Sequence, residues 1–253
     1  MLTVQETAAL LRGFDRVLIL THVRPDGDTV GCAAALCAAL RALGKTAYLL
    51  PNPGLTDTTA PYAAPYAAPE GFAPEKVVSV DIATVGLFPD NALPYKGRVD
   101  LAIDHHPSFE FFAKENIVRP EAAACGELML DILRELTPLT PEIALPLYVA
   151  ISTDTGCFQY TNTTADTHRA AAELIDTGID FRTFNKVFFR TKTRKRLALA
   201  FVKALEQREE YREVLEALEQ KTKRLKQRQD EAKAHQRNVR MGKVRKAPGT
   251  KKD

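Results

Sequence analysis

Four short runs of this chain are largely apolar: Val17–Leu20, which is apolar throughout, Ala47–Leu50, Val77–Val80, in which Ser79 is the one polar residue, and Leu101–Ile103. Runs of that length without a polar face predict strands buried on both sides, the habit of parallel sheets. Between and after them the spacing changes to that of helices. Residues 3–12 predict an amphipathic helix with Leu10 and Leu11 on its apolar side. An Ala- and Leu-rich helix follows from Thr29 to Leu43, with Gly44 placed to end it. Further helices are predicted over 125–136, 142–153 and 165–177. The tandem Pro-Tyr-Ala-Ala repeat at Pro61–Pro69 predicts an irregular connector. Alternation of this kind predicts an α/β domain over 1–190, an open, mostly parallel sheet flanked by helices.

Beyond residue 190 the pattern thins. Phe201, Leu205, Tyr211, Leu215, Leu218 and Leu225 form a helical stripe broken by Arg208 and Thr222. Residues 191–225 are therefore expected as a linker and amphipathic helix, and 226–253 as a basic, disordered tail. Charge follows the same division. Of the 35 Lys/Arg and 32 Asp/Glu, residues 203–253 hold 16 and 9, leaving 19 and 23 in the first 202 residues. A mildly acidic body thus carries a basic tail, whose lysines and arginines would contact nucleic-acid phosphates weakly and without sequence preference. No aromatic residue is interleaved from position 212 onward, so base stacking is poorly served.

The remaining composition excludes several classes. Cys32, Cys37, Cys125 and Cys157 have no C-x-x-C spacing and read as reduced thiols. The first residues show neither a basic n-region nor an apolar h-region, and no run is long enough to cross a bilayer. A cytoplasmic protein is expected.

Candidate chemistry lies in four acidic and histidine-containing segments: His22-Val23-Arg24-Pro25-Asp26-Gly27-Asp28, Asp81, Asp104-His105-His106 and Asp154-Thr155-Gly156. The first three follow predicted strands, and open α/β sheets bind ligands beyond the carboxyl ends of their strands. Asp and His are costly to bury unless paired or bound to a metal. Together the clusters predict one site holding a pair of divalent metals. Carboxylates and imidazoles without thiolate suit manganese well, and zinc or iron fits the same ligands. The Pro-Asp-Gly-Asp turn is expected to point two carboxylates the same way, with Gly27 adopting an unusual backbone geometry and Gly31 bringing the helix close to the strand.

In the order His-x3-Asp-x-Asp, Asp, Asp-His-His, Asp-Thr-Gly, residues 5–196 resemble the DHH phosphoesterase superfamily. The run Asp154-Thr155-Gly156-Cys157-Phe158-Gln159-Tyr160-Thr161-Asn162-Thr163-Thr164 resembles its nanoRNase/pAp phosphatase branch. The resemblance implies that His22 and Asp26 bind one metal, Asp28, His105 and Asp154 the other, and that Asp81 bridges both, with His106 facing the scissile phosphate. It implies hydrolysis of very short RNA oligonucleotides to 5′-mononucleotides, or of pAp (adenosine 3′,5′-bisphosphate) to AMP, with two divalent ions, foremost Mn2+, as cofactors. Members of this branch continue into a DHH-associated domain with a Gly-Gly-Gly-His-type motif. Here only Gly242, Gly249 and His235 occur beyond Gly178. The expectation is a chain without that domain, impaired in holding substrate, with a homodimer through the 197–225 helix as one way to cover the face it leaves. Two alternatives stand beside this reading: a cyclic-di-AMP phosphodiesterase of the same superfamily, and a catalytically silent, basic-tailed RNA-binding or scaffolding protein.

Overall fold

The computed structural model describes residues 1–191, Ala198, Lys203 and 212–240. Its chain divides into two units, 1–191 and 192–253.

Alternating strands and helices build the first unit: α1 (Val4–Arg12), β1 (Val17–Leu20), α2 (Gly27–Ala42), β2 (Ala47–Leu49), α3 (Ala60–Ala63), β3 (Lys76–Val80), β4 (Leu101–Asp104), β5 (Glu115–Val118), α4 (Cys125–Leu136), α5 (Pro141–Asp154), α6 (Ala165–Asp176) and α7 (Phe181–Asn185). All strand pairings are parallel, in the order β2-β1-β3-β4-β5. The expected open parallel sheet is present.

Side chains alternate across the sheet, so each apolar strand feeds two cores. Val17, Ile19, Val78 and Val80 point into the larger core with α2, α4 and α5. Leu18, Leu20 and Val77 meet Ile82, Phe88, Ala92 and Val99 on the opposite face. That second face is covered by short 3-10 turns, Val85–Leu87 and Asp90–Tyr95, and by aromatic side chains such as Phe72 and Phe112. Every residue of α2 from Gly27 through Leu40 is buried. Such a helix needs no polar face, which is why its sequence is almost continuous Ala, Leu and Cys.

Several expectations shift. Pro61–Pro69 is not irregular throughout: α3 and a 3-10 turn at Ala64–Tyr66 each carry proline in the first turn, where its missing N–H costs nothing. The edge strand β5 and the turns from Phe181 to Arg190 were not predicted. Gly31 faces α5 rather than a strand: a Cβ there would lie 2.3 Å from Pro146 O and 2.9 Å from Ala150 N. Gly27 is required for space and not for backbone freedom, since its Cβ would lie 2.3 Å from Thr153 Oγ1.

In the second unit, α8 spans Arg212–Arg240. The expected boundary at residue 226 is therefore not an element boundary. Residues 226–240 are helical because Lys, Arg, Gln, Glu and Ala are strong helix formers, supported by i,i+4 pairs such as Gln227 Nε2 to Glu231 Oε1 at 3.0 Å. Leu218 and Leu225 are exposed on it. The 192–197 linker, the stripe residues Phe201, Leu205 and Tyr211, and the tail 241–253 lie outside the described residues. Among the described residues, no helix is long and apolar enough to cross a membrane.

Candidate metal centre

Three strand ends and two helix ends bring the four sequence clusters together. His22 follows β1, Asp81 follows β3, and His105 and His106 follow β4; Asp28 lies in the first turn of α2 and Asp154 ends α5. Asp26 caps α2, its Oδ1 accepting from the backbone N–H of Asp28 (3.1 Å) and Thr29 (3.3 Å). Thr29 Oγ1 donates to Val80 O at 2.8 Å, tying this turn to the end of β3 just before Asp81. Asp81 adopts a left-handed backbone, φ 56°, which turns the chain out of the sheet at the site. Such conformations cost energy in a residue with a Cβ and cluster at functional sites.

The ligand-type atoms form three groups, each within 4.8 Å: His22/Asp26/Asp81, Asp28/His105/Asp154 and Asp81/His105/His106. His105 Nε2 sits centrally, 3.6 Å from Asp81 Oδ1, 3.6 Å from Asp154 Oδ2 and 3.7 Å from Asp28 Oδ2. Its other nitrogen, Nδ1, is 3.1 Å from Ala122 O, which fixes the ring with Nε2 toward the carboxylates. All seven residues singled out from the sequence are thus gathered. Asp26 and Asp28, however, do not point the same way. Asp26 is exposed and 3.5 Å from His22. Asp28 is buried and turned to the start of α4, accepting from the N–H of Cys125 (2.7 Å) and Gly126 (3.0 Å).

Two residues of these segments had been given no role. Asp104 is fully buried, and its Oδ1 accepts from the backbone N of His106 (2.6 Å) and faces His106 Nδ1 at 2.9 Å. It orients the His106 ring and, by that hydrogen bond, raises the pKa of the imidazole. Strand alternation was the available signal, because the last residue of a buried strand is itself buried. Arg24 lines the cavity of about 330 Å3 above the carboxylates, with His22, Asp26, Asp81, His106 and Asp154 among its walls.

Does a cation fit? Asp81 Oδ1 is buried and has no hydrogen-bond partner. Burial and the neighbouring Asp154 charge push Asp28 up to about 7. Burial and Asp28 push Asp81 well up, and burial raises Asp154. Carboxylates crowded this closely repel one another unless positive charge is supplied. The donor set fits hard divalent ions.

Carboxyls with folded-state pKa values above their unfolded values keep extra protons between about pH 4 and 7. Over that window the stability of metal-free protein falls as pH rises, with the Asp28 share of the penalty complete above about pH 7. Raised His106 acts in the same direction, while Asp26, drawn down by His22 against its burial, titrates below the window. Metal-free protein is expected to melt higher near pH 5 than near pH 8, and added divalent metal to reverse that order with proton release. Thermal melts at the two pH values, with and without metal, check this; equal metal-free melting temperatures would contradict it.

Residues 16–151 match the DHH family, N-terminal domain. The chain belongs to the DHH family. Among relatives of this DHH chain, the bifunctional oligoribonuclease and PAP phosphatase of Thermus thermophilus is 35% identical over 164 residues, covering 64% of this chain and 50% of that protein. The protein of the same description from Bacillus subtilis is 28% identical over 170 residues, 64% of this chain and 53% of that one. The chain spans about half the length of these relatives. An exopolyphosphatase-related protein of Bacteroides fragilis shares the fold, with TM-score 0.69 at 22% identity over 79% of this chain and 64% of that one.

Proposed function

We propose that this DHH chain is a metal-dependent phosphoesterase that hydrolyses very short RNA oligonucleotides to 5′-mononucleotides and pAp to AMP, using two divalent ions, foremost Mn2+. One observation carries the reading. The buried Asp81 carboxylate, which has an unbonded oxygen, belongs to the His22/Asp26/Asp81 group and lies 3.6 Å from His105 Nε2 of the Asp28/His105/Asp154 group. The names of the Thermus thermophilus and Bacillus subtilis relatives support the choice of substrates.

In this reading His22 and Asp26 hold one ion, Asp28, His105 and Asp154 the other, and Asp81 serves both. When bound, such a pair supplies positive charge to the phosphoryl oxygens and lowers the pKa of water for attack on phosphorus. The chain's own groups do the rest. Asp104 holds the His106 ring at Nδ1, leaving Nε2 to carry a proton toward the phosphate or the leaving oxygen. The α4 backbone amides hold Asp28 in place, so its carboxylate keeps its direction when it loses its proton. Burial pushes the Cys32 thiol well above its usual pKa, and its Sγ lies 3.3 Å from Asp28 Oδ1. We also read the location as cytoplasmic, since the four cysteines are unpaired and oxidising compartments favour disulfides.

The test is hydrolysis of pAp and of di- to tetranucleotides by the full chain, after chelation and after reloading with Mn2+, Zn2+ or Fe2+. Metal-dependent release of mononucleotide is expected. A protein that takes up metal but turns over none of these substrates refutes the reading.

A further inference from the structure

Arg24 has its backbone held firmly and its side chain left free. On one side, Val23 N donates to Leu87 O at 2.7 Å, and Asn52 Nδ2 donates to His22 O at 2.8 Å. On the other, Pro25 is buried. Gly54 packs beneath both: a Cβ there would lie 2.4 Å from Val23 O and 2.9 Å from Pro25 Cδ. The Arg24 side chain, by contrast, is exposed and lines the cavity. Arg119, Arg134 and Arg169 each pair with a carboxylate. Arg24 forms no ion pair among the described residues, although Asp26, Asp81 and Asp154 line the same cavity. It is also the only Lys or Arg in that lining.

We propose that Arg24 is a substrate-binding residue that grips a phosphate other than the one being cleaved, giving this site a preference for substrates with a second phosphate group. The inference rests on the phosphoesterase reading above. The carboxylates and the ions they suit account for the scissile group, and they leave a second phosphate without a counter-charge. A guanidinium donates two parallel hydrogen bonds to phosphate oxygens, a geometry that ammonium lacks. A fixed backbone also lowers the ordering cost of each such contact, because only the side chain must be immobilised.

A pair of ligands differing by one phosphate separates this from general electrostatics: pAp and adenosine 3′-monophosphate, which lacks the 5′-phosphate. Calorimetric binding to the metal-loaded full chain does not depend on turnover, so it decides the role of Arg24 even if hydrolysis fails. Wild-type protein is expected to bind pAp more tightly than the monophosphate. In Arg24→Gln that preference should shrink about tenfold or more, the loss expected when a charge-assisted hydrogen bond is removed. Arg24→Lys, which keeps the charge but not the fork, should fall between. Metal content of both variants should equal that of wild type. A wild type with no preference for pAp overturns the proposal, as does an equal loss for both ligands, or a variant whose metal content falls.

Discussion

Replacing Asp81 by alanine is expected to abolish metal-dependent hydrolysis, with a loss of about a thousandfold or more in kcat/KM. The magnitude comes from the several kcal/mol that two metal ions supply to a phosphoryl transition state, each 1.36 kcal/mol being tenfold in rate. No other carboxylate of the centre belongs to more than one of its three-ligand groups, and Asp81 also sits 3.6 Å from both His105 and His106. The same substitution should stabilise the metal-free protein. It removes a buried carboxyl whose Oδ1 has no partner and whose ionisation is opposed by burial and by Asp28. A higher metal-free melting temperature together with lost metal and lost activity is therefore the expected signature. Lost activity with full metal content would show that Asp81 is not the shared ligand.

Gly31→Ala is expected to have the largest effect on stability. Its Cβ would lie 2.3 Å from the carbonyl oxygen of Pro146 and 2.9 Å from the amide nitrogen of Ala150, both backbone atoms that cannot rotate away. Overpacking a close-packed interior costs about 1–3 kcal/mol, and 2–4 °C per kcal/mol is usual at this domain size, so a fall of roughly 5–10 °C is expected. The displacement would also reach the metal centre. Asp28 lies one helical turn before Gly31 and is held by the amides at the start of α4, so shifting α2 off α5 should weaken metal uptake. Thermal unfolding and metal titration measure the two consequences. A melting temperature within about 1 °C of wild type would show that α2 and α5 separate at little cost.

Strands β1 to β4 were legible because burial on both faces makes them largely apolar, with Ser79 and the end residues Lys76 and Asp104 as the polar positions, a pattern with few other meanings. β5 was not, because only Ile117 of Glu115–Val118 is buried. An edge strand with one buried side chain carries no periodic signal. Similarly, Phe181, Phe184, Phe188 and Phe189 pack against the main core from short turns, too brief for a helical period to show. The helix through Arg240 was missed for a different reason. Its polarity reads as disorder, whereas its residues have high helix propensity.

The sequence by itself determined the strand-end positions of His22, Asp81 and the Asp104-His105-His106 run. In a parallel sheet all strands point one way, so residues at their carboxyl ends converge on one edge whatever the rest of the chain does. It also determined the donor types, and with them the class of metal they suit. Only the tertiary structure decided which donors face each other. Two residues apart, Asp26 and Asp28 went to different groups because one caps α2 and the other is drawn down by the amides of α4. Only the structure gave Asp104 its hold on His106 and left Arg24 without an ion pair among the described residues, beside a cluster of carboxylates. Direction and pairing of side chains depend on contacts between segments some hundred residues apart, such as Asp28 with Cys125, and no local pattern encodes them.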